Sequence, residues 1–111
     1  MAEPSNHTLY ELHAGICHTL ANPKRLEIID RLRDGESSVS ALAEAMDVSQ
    51  SNLSQHLAVM RQKGIVATRR DGSNVYYRLS NPKIVKACNL MRQVLLEHLE
   101  AGAELAQAAR G

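Results

Sequence analysis

Residues 48–66 read VSQSNLSQHLAVMRQKGIV, and their spacing predicts an amphipathic helix. Leu53, Leu57 and Met60, with Val59 beside them, fall on one side, while Gln50, Ser51, Asn52, Ser54 and Gln55 form a short uncharged polar surface elsewhere on the cylinder. Ser49 is placed to cap the start and Gly64 to stop the end, with Arg61 and Lys63 in the last turn where cations suit the helix dipole. Asn, Gln and Ser side chains both donate and accept hydrogen bonds, which is the chemistry needed to meet base edges or phosphates near a helix N-terminus. An ordinary solvated helix face has the same composition, so the flanks must decide between the two readings.

The preceding stretch, SVSALAEAMDVS, carries Val39, Leu42, Ala43 and Met46 at spacings that suit a short helix, capped by Ser40 and ended at Asp47. Only a brief turn then remains before Ser49, and two helices joined so tightly make a helix-turn-helix. The following stretch, IVATRRDGSNVYYRL, has two β-rich runs around Asp71-Gly72, a hairpin-turn dipeptide, and so predicts a wing. From Ser49 to Arg78, five bases (Arg61, Lys63, Arg69, Arg70, Arg78) face one acid (Asp71), a local charge of +4. From Met1 to Val48, eight acids face four bases, giving −4. The chain total of +1 hides this asymmetry between a basic reading surface and an acidic remainder.

The blocks LANPKRLEIIDRLRDGE, SVSALAEAMDVSQSNLSQHLAVMRQKGIV and RRDGSNVYYRLSNP, in this order and spacing, resemble the ArsR/SmtB family of bacterial winged-helix repressors, over roughly Leu12 to Leu99. The resemblance implies a dimeric repressor that sits on double-stranded operator DNA and leaves when a metal, metalloid or thiol-reactive signal arrives. The expected fold is mainly α with a small β-hairpin wing between the fourth and fifth helices. The residues expected to face DNA are Ser49, Gln50, Ser51, Asn52, Ser54, Gln55 and Arg61 on the reading helix and Arg69, Arg70 and Ser73 on the wing. His56 joins them as either a phosphate contact or a packing residue.

The family's inherited signal sites do not carry over. Its cysteine pair at the start of the first helix of the helix-turn-helix is matched here by Ser38 and Ser40. Its ligand set on the last helix is matched by Asn81, Lys83, Val94 and Glu97, a poor set for zinc. Two other arrangements stay open. Cys17 and Cys88 lie on helices expected to pack together, so the thiols are candidate sensors of oxidants, sulfide species or a thiophilic metal. Alternatively His13, Cys17 or His18 joins Cys88 or His98 around a soft metal ion. Against both stands the plain reading of two inert core cysteines in a constitutive DNA-binding regulator, with no cofactor required.

At 111 residues, 44% hydrophobic and 23% charged, the chain reads as one small domain, cytoplasmic, without a membrane span or signal peptide. Residues 1–7 are expected to be a flexible N-terminus, 8–100 the DNA-binding and dimerisation domain, and 101–111 a frayed alanine-rich tail. Leu9, Leu12, Ile16 and Leu20 stripe a first helix. Asn22 and Pro23 open a second, with Leu26, Ile28, Ile29 and Leu32 on its core face, and with Lys24 and Arg25 near its start available to pair with Glu27 and Asp30. Asn81 and Pro82 open a last helix whose apolar stripe (Ile84, Cys88, Met91, Leu95, Leu99) is too broad for one neighbour. A twofold dimer through the first and last helices would cover it. No serine-hydrolase elbow, phosphate loop, His-Glu-x-x-His run or paired carboxylates mark an enzyme.

Overall fold

The computed structural model describes residues 6–110, which form five helices and three short strands. In order these are α1 (Asn6–Leu20), α2 (Pro23–Arg31), β1 (Ser37–Ser38), α3 (Val39–Met46), α4 (Gln50–Gln62), β2 (Val66–Asp71), β3 (Asn74–Leu79) and α5 (Lys83–Arg110). The architecture is a winged helix-turn-helix, mainly α, with the hairpin between the fourth and fifth helices.

Helices α2 to α5 each start where a short polar side chain satisfies free backbone donors. Asn22, in extended conformation, accepts from the Lys24 and Arg25 N–H groups at 2.9 and 3.3 Å, and Pro23 takes the first helical position, where a missing N–H costs nothing. Asn81 repeats the device, accepting from the Lys83 N–H at 2.9 Å. The cap of α3 is Ser38 rather than Ser40: Ser38 is extended and its hydroxyl accepts from the Ala41 N–H at 3.1 Å. Ser38 is fixed there because it also belongs to β1, which pairs with β3 through Ser37↔Tyr77 and Ser38↔Tyr76. That third strand, giving the sheet order β1-β3-β2, has only two residues and no alternation for a sequence pattern to reveal.

The wing also differs in its turn. Asp71 pairs with Asn74, so the loop is Gly72-Ser73, not Asp71-Gly72. Gly72 alone takes the positive φ, +62°, at the first loop position. At its base the wing is closed by the Ser80 N–H donating to the Ile65 carbonyl at 3.0 Å.

Ile28, Leu53, Leu57, Met60 and Ile65 are fully buried, and Ile29, Leu32, Leu42, Ala43 and Val66 complete the core. Tyr77 and Leu79 from β3 and Ile84, Val85 and Cys88 from α5 pack on its rim. Leu26, expected inside, is 40% exposed and faces the groove between α2 and the helices α1 and α5. Along α1 and α5 the apolar stripes stay outside the core: Leu9, Leu12, Leu90, Met91, Val94, Leu95 and Leu99 are all exposed, and α5 buries no residue at all.

Both ends are helical as far as they are described. Residues 1–5 of the expected flexible segment lie outside the described residues, but Asn6 and His7 are helical, with His7 Nε2 2.8 Å from the Glu11 carboxylate one turn on. The segment expected to fray is helical through Arg110, as its alanine content favours. Glu27 pairs with Arg31 one turn on, and Asp30 with Arg33 just past the end of α2, not with Lys24 and Arg25.

The end of α4 rests on Gly64, whose φ is +75°. Its N–H donates to the Arg61 carbonyl at 3.0 Å and the next N–H, of Ile65, to the Met60 carbonyl at 2.9 Å, the paired bonds of a Schellman stop. A Cβ at residue 64 would meet nothing within 4 Å, so Gly64→Ala isolates the backbone strain and should cost roughly 1–2 kcal/mol in urea unfolding.

Candidate nucleic-acid interface

Helix α4 is held by three buried residues on one side, Leu53, Leu57 and Met60, so its opposite side is fixed in space. Over the rest of the cylinder Gln50, Ser51, Asn52, Ser54 and Gln55 are exposed, as is Arg61 in the last turn. Ser49 is committed to capping, its hydroxyl oxygen accepting from the Asn52 N–H at 3.0 Å. Its hydroxyl hydrogen remains a donor. The turn from α3 is set by Asp47, in the left-handed conformation at φ +53°, with the Val48 N–H donating to the Ala43 carbonyl at 3.1 Å. Aspartate tolerates this conformation better than most residues.

His56 is half-buried and partnered. Arg25 Nε donates to its Nδ1 at 3.1 Å, and Arg25 Nη1 donates to the Thr19 carbonyl at 3.1 Å. A nitrogen that accepts carries no proton, so the imidazole is neutral with its hydrogen on Nε2. Burial first, then the charges of Arg25 and Lys24, push its pKa below the ordinary 6.5. Of the two readings for His56, packing between α2 and α4 is the one its surroundings favour, and a cationic phosphate contact is disfavoured. The same bond occupies Arg25, which ties together the end of α1, the start of α2 and the reading helix.

This has a consequence for pH. Folded His56 takes up a proton less readily than the same residue in the unfolded chain, so its contribution to stability is complete above about pH 6.5 and is lost as pH falls below it. Thermal midpoints measured from about pH 8 down to about pH 5 should fall on the acid side. His56→Gln, which keeps an acceptor but cannot titrate, should flatten that fall.

On the wing, Arg70 and Ser73 are exposed. Arg69 is not free as expected: its Nε and Nη2 donate to the two carboxylate oxygens of Glu36, at 3.1 and 2.5 Å, and its guanidinium carbon lies 4.6 Å from the Tyr76 ring centroid. Glu36 lies more than 30 positions away in sequence, so no local pattern could mark it as a partner. Arg25 and His56, 31 positions apart, were missed as a pair for the same reason.

Cys17 is exposed on α1, and Cys88 is half-buried on α5. Both line a groove of about 790 Å³ between α1, α2 and α5, together with His13 and His98, whereas His18 lies outside it. Among the described residues no three His, Cys, Asp or Glu side chains come together as a metal site. Burial pushes the Cys88 thiol pKa up and so lowers its thiolate fraction, an effect partly offset by the charge of Arg92.

Residues 22–68 match the family model described as bacterial regulatory protein, arsR family. The nodulation protein NolR of Rhizobium meliloti is 39% identical over 98 residues, a match spanning 88% of this chain and 80% of that one. The solution structure of a homodimeric winged helix-turn-helix DNA-binding domain from Mycobacterium bovis superposes with a TM-score of 0.77 at 34% identity, over 89% of this chain and 94% of that one. The crystal structure of the transcriptional repressor BigR from Xylella fastidiosa does so with 0.68 at 32% identity, over 82% and 96%.

Proposed function

Because the chain belongs to the arsR family of bacterial regulatory proteins, a family of winged helix-turn-helix transcriptional regulators, we propose that it acts as a homodimeric repressor of a specific operator. Two copies of α4 enter successive major grooves of double-stranded DNA, and the wings rest on the flanking backbone. The observation that carries this is the row Gln50, Ser51, Asn52, Ser54 and Gln55, exposed and uncharged on a helix whose other side is locked by fully buried Leu53, Leu57 and Met60. Rigid placement matters because a base-edge hydrogen bond tolerates little misalignment. Ser49, Arg61, Arg70 and Ser73 add backbone contacts.

The dimer forms through α1 and α5. A 28-residue helix with no buried residue, beside a helix that exposes Leu9, Tyr10 and Leu12, is otherwise an unusually large apolar surface for a monomer. DNA binding requires no cofactor, and the work is done on chromosomal DNA, hence in the cytoplasm. The signal that releases the repressor acts through Cys17 and Cys88, supported by their position on one groove beside the dimer face. A constitutive regulator with inert cysteines is the second reading, favoured by the raised pKa of Cys88.

The test is fluorescence anisotropy of a labelled duplex from the gene's own upstream region against a scrambled duplex, followed by transcription in vitro. Tight binding to the first alone, with reduced transcript, is expected. Equal binding to both duplexes would sink the specific-operator reading, and increased transcript would make the protein an activator. Release by polysulfide that disappears in Cys17→Ser or Cys88→Ser assigns the sensor, and indifference to thiol reagents favours the constitutive reading. Within the reading row, Gln55→Ala should lose roughly 1–3 kcal/mol of discrimination between the two duplexes. Unchanged discrimination would remove Gln55 from the row.

A further inference from the structure

Glu36 occupies the loop between α2 and β1, where it meets the wing from the outside. The contact with Arg69 is two-pronged, Nε to Oε2 at 3.1 Å and Nη2 to Oε1 at 2.5 Å, and the guanidinium is further seated against Tyr76, its cross-strand partner. Bidentate geometry with a stacked guanidinium is the arrangement in which arginine loses least freedom per hydrogen bond.

Strand alternation makes the wing two-faced. Arg69, Asp71, Tyr76 and Arg78 project to one side of the hairpin, and Thr68, Arg70, Val75 and Tyr77 to the other. On the first side Arg69 is matched by Glu36, with Asp71 adding to the field around it, and Arg78 adds to the field that holds Glu36 ionised. On the second side Arg70 stands with no ion-pair partner among the described residues. Of the three arginines on the hairpin, Arg69 alone is taken up by an acid, and Arg78, like Arg70, has no ion-pair partner among the described residues.

We propose that Glu36 withholds Arg69 from DNA and so limits how much of the wing's binding is sequence-independent. The inference rests on the DNA-binding reading above and assigns a specificity-determining role to a residue that touches no DNA. Each phosphate contact strengthens binding to every sequence alike, so an additional free arginine would raise affinity for the whole chromosome as much as for the operator. An acid that occupies Arg69 lowers the non-specific background while leaving the base-reading row of α4 untouched.

The experiment measures the slope of log K against log salt on an unrelated duplex for the wild type, Glu36→Gln, Arg69→Gln and the double variant. Glu36→Gln should steepen the slope by about 0.9, one phosphate contact, and tighten non-specific binding about threefold to tenfold near 0.1 M salt. Arg69→Gln should leave the wild-type slope in place, and the double variant should return to it. A slope that falls by about one in Arg69→Gln alone means that Arg69 already sits on phosphate, and overturns the proposal. An unchanged or weakened Glu36→Gln also overturns it, since Glu36 then only fastens the wing. A wild type that binds no duplex at any salt overturns the DNA-binding reading and this inference with it.

Discussion

Leu57→Ala should destabilise the protein by about 2–5 kcal/mol, enough to consume much of the roughly 5–15 kcal/mol that a small domain possesses. Leu57 is completely buried at the middle of α4, where the helix meets the rest of the core. Truncation leaves a cavity as well as lost transfer energy, and the close-packed neighbours Leu53, Met60 and Ile28 are themselves fully buried and have little room to collapse into it. Urea unfolding followed by circular dichroism gives the number. The comparison that gives it meaning is Ala58→Ser, one residue on and exposed, which should shift the midpoint by no more than about 0.5 kcal/mol. Equal effects at the two positions would mean that α4 is not seated as described. Operator binding by Leu57→Ala should fall with the folded fraction rather than in sequence preference, because the substitution removes the support of the reading row and none of its hydrogen-bonding groups.

Leu95→Glu should leave the fold intact and disable the assembly. Leu95 is 54% exposed on α5 and lies among Met91, Val94 and Leu99, all exposed, so a charge there costs the isolated subunit little. In a twofold dimer through α5 the same substitution appears twice, placing two uncompensated carboxylates in an apolar interface. Sedimentation should report a monomer, with circular dichroism unchanged. Operator affinity should then drop roughly 10²–10⁴-fold, because the second half-site contact is no longer held at high effective concentration by the first. A variant that stays dimeric and binds as before would move the interface away from α5. Non-specific binding should change far less, since each subunit keeps its own α4 and wing.

Much of this molecule was legible in its sequence because the deciding signals are local. The 3.6-residue spacing of Leu53, Leu57 and Met60, the Ser49 cap and the Gly64 stop all act within one turn of where they are written, and α4 runs between them as expected. Asn22-Pro23 and Asn81-Pro82 open α2 and α5 for the same reason. The helix-turn-helix follows from two such helices separated by too few residues to do anything else. Where a competing local signal existed, the reading slipped: Ser38 and Ser40 are equally good caps on paper, and the choice fell to Ser38 because β1 pairs with β3 there. The hairpin turn moved by one residue because the register Asp71↔Asn74 is fixed along the whole ladder, not by the turn dipeptide alone.

Charge partners were the least legible feature, and the cause is the same in each case. Arg69 is written beside Arg70 in a basic run and looks equally free, yet one meets Glu36 and the other none, because adjacent strand residues point to opposite faces and only one face has an acid folded against it. His56 stands in the polar stretch of the reading helix, yet burial and then Arg25, brought up from α2, favour its neutral form. By itself the sequence determined the helices, most of their ends, the helix-turn-helix tandem and the apolar stripes along α1 and α5, since periodicity and capping act over a few residues. Only the tertiary structure decided which cations remain available and which thiols share a groove, because those are properties of pairs more than thirty positions apart, set by how α2 and the loop after it lie against α4, the wing and α5.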